Sequence, residues 1–366
     1  MEQLFIVALV PAHNEQESIA ATIEALLSQT RLPDVIAALP NGCTDETASI
    51  ARRYPVTVLE LPKLDHKKSE ALNIGWAKYG READVVICLD ADTVLPPNAV
   101  KDWEQEFIDN LSTTCQPNYR LLGGSSSKFT MLGGDFLTRL QRAEFSRWTD
   151  TALARGYTTV LAGTGCAISG EALRQVVSTT GRDGPWSYDS QVEDFELTYK
   201  IRQLGYFCQV SRTVRAYTDS MKTIRSLWGQ RMKWQVGTVE DLLHIGINRL
   251  TLIDRWQQFA GLAMAAVRLL WVAVMIGLVI MQLLRFTWLW MIIIPLLFVA
   301  TELYSALRIP HRDRLDIVCA LTIVPSELFA WLRSGWFIAA WAEVLLGKIT
   351  GNHKDHWQLQ YAAEAQ

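Results

Sequence analysis

Two carboxylates one residue apart, Asp90-Ala91-Asp92, close the short apolar run Val85–Leu89. At a strand end, mutual repulsion and lost hydration disfavour their charged forms. A hard divalent ion relieves both effects, and Mg²⁺ or Mn²⁺ characteristically binds one or two carboxylates together with a ligand's phosphate oxygens. Alone, such a pair is a solvated turn, so its meaning depends on what converges on it. Lys67 and Lys68 open Lys67-Lys68-Ser69-Glu70-Ala71-Leu72-Asn73, a helix start whose charge and backbone N–H groups suit an anion. Val192-Glu193-Asp194-Phe195-Glu196 sets a run of acids at another helix start. Acids there are common for dipole reasons alone, but neighbours that raise one another's pKa also suit a general base. Gln230-Arg231-Met232-Lys233-Trp234 places cations beside an indole, a combination able to hold a diphosphate and to face a ring-shaped ligand.

Alternating elements must position these groups. Leu4–Val10, Val35–Leu39, Val56–Leu61 and Val85–Leu89 are Val- and Ile-rich runs of the kind that buried parallel strands require. Between the first two, Asn14 is predicted to cap a helix with Glu17 at its third position and Ile19, Ile23, Leu26 and Leu27 on one face. This βαβα order predicts an α/β sheet with right-handed crossovers. Ligands bind such sheets beyond the strands' carboxyl ends, where His13-Asn14-Glu15, Pro40-Asn41-Gly42 and Asp90-Ala91-Asp92 all fall. Further helices are expected around Phe136–Ala154 and over Gln191–Leu204, the latter stopped by Gly205.

The 366 residues suffice for two or more domains. A net charge of −3 offers no general attraction to nucleic acid or anionic lipid. Cys43, Cys88, Cys115, Cys166, Cys208 and Cys319 form no C-x-x-C pair and read as isolated buried thiols of a reducing compartment. Leu4–Val10 is too short for a signal peptide and lacks a basic leader, so the amino-terminal part is expected in the cytosol.

From Thr223 the pattern becomes basic and aromatic, as in a helix lying at a membrane surface. Gly261–Leu284 and Phe286–Leu307 are each long enough to span a bilayer. Leu315–Leu346, interrupted by Pro325, Glu327 and Arg333, reads as a kinked span, a re-entrant hairpin, or a span plus an interfacial helix. Arg308, His311, Arg312 and Arg314 then face the cytosol, and Lys348, His353 and Lys354 favour the hairpin. The expected organisation is a cytosolic catalytic domain over 1–218, interfacial helices over 219–258, a membrane region over 259–347 and a cytosolic tail over 348–366. A multi-pass plasma or inner membrane protein follows.

In this order, Pro11-Ala12-His13-Asn14-Glu15, Asp90-Ala91-Asp92, Thr164-Gly165-Cys166, Glu193-Asp194 and Gln230-Arg231-Met232-Lys233-Trp234 resemble the inverting family 2 glycosyltransferases of GT-A fold. The resemblance covers Leu4 to Gly237 and is greatest to membrane synthases of cellulose, hyaluronan and poly-N-acetylglucosamine. It implies a Rossmann-like, mostly parallel nucleotide-sugar-binding domain followed by carboxyl-terminal transmembrane helices. It further implies that Pro11, Ala12, Glu15 and Asn41 line the nucleoside pocket, with Lys68 nearby. Asp90 and Asp92 hold the diphosphate and Mg²⁺ or Mn²⁺, and Asp194 is the base. Thr164, Gly165, Cys166, Glu193 and Trp234 meet the acceptor, and Gln230 and Arg231 close over the diphosphate. The implied partners are a nucleotide-sugar donor of UDP type, a saccharide or lipid acceptor, and membrane lipid.

Three departures stand out. Pro40 and Asn41 replace two acids, which unsettles uridine. Lys233 replaces an Arg, keeping charge but losing the bidentate fork. The synthases' membrane helices ahead of the catalytic part have no counterpart before Leu4. Transfer of one sugar to a polyprenyl phosphate or another lipid, and a catalytically silent scaffold, are the competing readings.

Overall fold

The computed structural model describes residues 3–112, 119–283, 288–351 and 354–364. Cys115, Leu284, Phe286 and His353 lie outside the described residues. The chain divides into two compact units, Met1–Leu132 with Trp148–Asp219, and Gly133–Arg147 with Ser220–Gln366.

The first unit runs β1 (Ile6–Ala12), α1 (Ile19–Leu27), β2 (Val35–Pro40), α2 (Thr47–Ala51), β3 (Thr57–Val58), α3 (Lys67–Gly75), β4 (Val85–Cys88), α4 (Ala99–Ser112) and β5 (Leu122–Met131). After α5 (Phe136–Arg155), which is divided between the units, come β6 (Cys166–Ser169), α6 (Gly170–Thr180), α7 (Glu193–Gln203) and β7 (Phe207–Thr218). The seven strands form one sheet in the order β3-β2-β1-β4-β6-β5-β7. Only β6 runs against its neighbours.

Strand alternation explains the two cores. Ile6, Ala8 and Val10 of β1 pack with Ile19, Ile23 and Leu26 of α1 and with Trp103 of α4. Val7 and Leu9 pack with Leu39, Leu72, Trp76, Leu173 and Val176 in a second cluster. Because successive side chains point to opposite faces, a strand between two helical layers must be apolar throughout, and β1 is buried at every residue.

Two local expectations change. Asn14 does not cap α1; its Oδ1 accepts the Thr44 N–H at 2.8 Å, and α1 begins after Ser18. A turn accounts for the delay, in which the Ile19 N–H already bonds the Glu15 carbonyl. The run Val56–Leu61 yields only the two-residue β3, with a separate bridge from Leu61 to Asn41.

The second unit begins with the first part of α5 and continues with α8 (Ile224–Ile245), α9 (Leu252–Ile280), α10 (Trp288–Leu307), α11 (Arg314–Thr322), α12 (Val324–Thr350) and α13 (His356–Glu364). A reciprocal Thr223–Ser226 capping box opens α8. The helix α9 is long and apolar enough to cross a membrane. Helices α11 and α12 pass the same test as a pair bent by 74°. The break falls at Ile323, with φ of 60°, and Pro325 sits in the first turn of α12 rather than at the corner. Arg142 ties α11 down by donating to both oxygens of buried Asp316 at 2.7 Å.

Trp103 is fully buried. Trp103→Ala should lower unfolding stability by about 3–5 kcal/mol, read as an earlier urea midpoint of the first unit's transition.

Candidate active site

β4 delivers Asp90 and Asp92 to the carboxyl edge of the sheet, and the turn between them is held from four directions. The Asp90 N–H donates to the Gly163 carbonyl at 3.0 Å, and the Leu89 N–H to that of Leu9 at 3.2 Å. The Thr22 hydroxyl on α1 donates to the Ala91 carbonyl at 2.8 Å. Beyond the turn, Val94 bridges to Tyr217 at the end of β7, which brings the Thr218 hydroxyl to Asp92 Oδ2 at 3.2 Å. Burial, then the charges of Asp90 and Asp219, push the Asp92 carboxyl up to about 6 against hydrogen bonds from Thr93 and Thr218.

Lys68, in the first turn of α3, reaches the same edge. Its Nζ lies 2.6 Å from Asp90 Oδ1 and 3.4 Å from Glu193 Oε1. Burial works against its charge, but Asp90, Glu193 and Asp194 outweigh burial and hold the ammonium well above the ordinary lysine value. Glycine at the position facing it leaves room for this approach. A Cβ on Gly163 would stand 2.5 Å from Lys68 Nζ and 3.3 Å from both Asp90 oxygens.

The start of α7 supplies the opposite wall. Glu193 is buried, and Asp194 Oδ1 accepts the Phe195 N–H at 2.8 Å. Lys68, Asp90, Glu193 and Asp194 line one recess with Pro11, Gly163, Cys166 and Trp186. Cys166 faces Cys88 across the β4–β6 pair. A hydrogen bond with Cys88, followed by burial and nearby negative charge, pushes the Cys166 thiol well above its usual range.

The recess therefore unites Pro11, Lys68, Asp90, Cys166, Glu193 and Asp194 of the residues singled out from sequence. Thr164 and Gly165 precede Cys166, and Gly165 has φ of +135°. Ala12, Glu15 and Asn41 lie at the ends of β1 and β2. Glu15 Oε2 accepts the Ser18 hydroxyl at 2.6 Å, and Asn41 Oδ1 accepts the Leu64 N–H at 3.2 Å. The Asn41 carbonyl bonds His13 Nδ1 at 2.7 Å, fastening the two strand ends together.

Gln230, Arg231 and Trp234 belong to the second unit. There α8 buries Arg231 and Lys233 rather than presenting both to a surface. Arg231 pairs with Glu144 at 2.9 Å, and its guanidinium lies 4.5 Å from the Trp234 ring and 4.8 Å from that of Phe145. Lys233 Nζ sits 3.3 Å over the ring of Trp357 on α13. Among the described residues, no group of three or more His, Cys, Asp or Glu side chains could hold a metal by itself.

Sequence reasoning assigned no role to Trp186 or Asn73. The Asn73 amide donates to the Trp186 carbonyl at 2.8 Å and accepts the Trp186 N–H at 3.0 Å, so a buried side chain on α3 replaces a strand partner for that loop. Asn at the seventh place of Lys67–Asn73 was its only signal.

Residues 85–304 match the profile described as glycosyl transferase family group 2, and residues 7–158 that of glycosyl transferase family 2. The chain belongs to this family. It is a family 2 glycosyltransferase with a GT-A fold. It is 27% identical over 242 residues to the poly-β-1,6-N-acetyl-D-glucosamine synthase of Staphylococcus epidermidis, covering 64% of this chain and 55% of the relative. It is 23% identical over 242 residues to the probable glycosyltransferase YdaM of Bacillus subtilis, covering 63% and 54%. The chain thus spans about half the length of the curated relatives it matches. The mannosyltransferase PcManGT from Pyrobaculum calidifontis, solved with GDP-Man and Mn2+, shares the fold with a TM-score of 0.60 at 17% identity, over 94% of this chain and 88% of that one.

Asn73→Ala would leave both backbone groups of Trp186 unpaired in a buried place, at about 1–3 kcal/mol each. The Trp186 amide should lose its hydrogen-exchange protection while the amides of β1 keep theirs.

Proposed function

We propose that this glycosyltransferase moves one sugar from a nucleotide-sugar donor onto an acceptor hydroxyl, by single displacement at the cytosolic face of a membrane. The observation that carries the reading is the recess in which Asp90 and Lys68 face Glu193 and Asp194. One wall suits a diphosphate and the other a base.

Asp194 would accept the acceptor proton as the hydroxyl attacks the anomeric carbon, and the diphosphate would leave from the opposite face, inverting that centre. Lys68 would orient Asp90 and Glu193. Glu193, already paired, would receive a hydroxyl of the acceptor. Trp186 and Cys166 would close the floor against water. Pro11, Ala12, Glu15 and Asn41 would hold the nucleoside. The Asn41 Oδ1 is taken by Leu64, which leaves its amide N–H groups to meet a base carbonyl.

Asp90 and Asp92 fit a divalent cation completed by ligand oxygens. Asp92 is destabilised as an anion by burial and by Asp90 and Asp219, a strain that a cation removes. Bound there, Mg²⁺ or Mn²⁺ would neutralise charge developing on the leaving diphosphate. The relative solved with Mn2+ is consistent with this.

Membrane attachment is supported by α9 and the bent α11–α12 pair and by exposed Leu269, Leu270, Trp271 and Ile280. The acceptor would be a growing saccharide, by similarity to the poly-N-acetylglucosamine synthases, or a lipid. A donor screen over UDP-, GDP- and TDP-sugars, with product length by mass spectrometry, separates polymerisation from a single transfer.

Asp194→Asn should reduce kcat about 10²- to 10⁴-fold with little change in donor affinity. Undiminished turnover would remove Asp194 as the base. Because a proton competes with the metal for Asp92, Mn²⁺ affinity measured by calorimetry should be level above about pH 6. Below that it should fall by up to about tenfold per pH unit, and Asp92→Asn should abolish this dependence together with most of the binding.

A further inference from the structure

Three apolar helices of the second unit carry charges along their length: Arg268 on α9, Glu302 on α10, and Glu327 and Arg333 on α12. Arg147 on α5 joins them. Its guanidinium donates to Glu302 Oε1 at 2.7 Å, while Glu302 Oε2 accepts the Ser326 hydroxyl at 2.7 Å. Arg268 stands 3.9 Å from Glu327. Arg333 lies about two turns beyond Ser326 on the same side of α12. It is half-buried, and among the described residues it makes no hydrogen bond or ion pair. The charges it feels are those of Glu144, Arg147, Arg268 and Glu302, and Glu144 is already committed to buried Arg231 at 2.9 Å. Three guanidinium groups thus share the two carboxylates of Glu302 and Glu327, an excess of one positive charge.

Among apolar helices an uncompensated guanidinium is costly. A planar fork of donors is the side chain best matched to phosphate oxygens. On the helices that carry Arg268 and Glu302, Leu269, Leu270 and Val274 of α9 and Leu296 and Leu297 of α10 are exposed, so an anion with hydrocarbon chains could satisfy the charge and cover apolar side chains of the same helices.

We propose that Arg147, Arg268 and Arg333 form a binding site for the phosphate group of a membrane lipid, with Arg333 supplying the unmatched charge. The proposal rests on the reading of the second unit as membrane-embedded. A phosphate monoester and a phosphodiester share the recognised chemistry, and a single negative charge balances the cluster.

The test uses the full-length protein in a neutral detergent, with thermal unfolding followed on addition of phosphatidic acid, phosphatidylglycerol, phosphatidylcholine or inorganic phosphate. The two anionic lipids should raise the midpoint by roughly 5 °C near saturation, and phosphatidylcholine should not. Arg333→Gln should weaken the apparent affinity about tenfold or more, whereas Arg249→Gln, an exposed arginine elsewhere, should leave it unchanged. If Arg333→Gln does not fold, Arg268→Gln serves instead. Equal stabilisation of the arginine variant and the parent protein overturns the site, as does absence of stabilisation by any phosphate. Stabilisation by inorganic phosphate to the same extent keeps the phosphate site and removes the lipid. Membrane embedding is read separately: protein that stays in solution without detergent defeats that reading, and inorganic phosphate binding then decides the arginine cluster by itself.

Discussion

The Lys68 ammonium is the group on which the recess depends, because it bridges carboxylates delivered by separate elements of the fold. It touches Asp90 and Glu193 and is held ionised by these and by Asp194. Removing one member of a buried ion pair is far more costly than the pair is worth, since the remaining charge is stranded. Geometry follows from that charge sharing. The lysine needs α3 to start where it does, its approach to Asp90 uses the room that glycine leaves at 163, and Glu193 must open α7 on the far side. Two helices and two strand ends are thereby registered against one cation, which explains how a site assembled from residues 11 to 197 can be compact.

The second unit solves a similar problem with different means. Arg231 and Lys233 are enclosed by aromatic rings and, for Arg231, by Glu144. Burying cations in this way fixes the face that α8 presents, because rotating the helix would expose the rings and strand Glu144. The helix α13 contributes through Trp357, and buried His356 bonds Glu343 on α12 at 2.8 Å. The last helix of the chain is therefore part of the packing that orients α8.

Much of the first unit could be read from periodicity. Continuous Val/Ile runs mark strands covered on both faces, and β1, β2 and β4 appear where those runs stand, as do α5 and α7. The failures have physical causes. Asn14 satisfies both a capping pattern and a loop contact, and only the folded arrangement of Thr44 decides between them. Val56–Leu61 has strand composition but lies at the sheet edge, where pairing on one side supports two residues. The acids and Lys68 were legible as candidates because motif order brought them together. Trp186 and Asn73 were not, since their relation joins α3 to a loop more than a hundred positions away and leaves no local pattern. The burial of Arg231 was hidden for the same reason: its partner Glu144 lies on another helix.

One reversed strand has a lasting consequence for how this enzyme can vary. Along β4 the chain runs out toward the recess and leaves it after Asp92; along β6 it enters from the recess, starting at Gly163. What lies in between, from α4 through α5, departs and returns at one rim, and on the way it supplies β5, which stands between β6 and β7 in the sheet. Changes confined to the loops of that excursion need not disturb either wall, provided β5 keeps its place beside β6, where the Ser127 N–H donates to the Gly165 carbonyl at 2.8 Å. Such an architecture can exchange the surroundings of its chemistry, new loops or new anchoring helices, while the reacting groups keep their places.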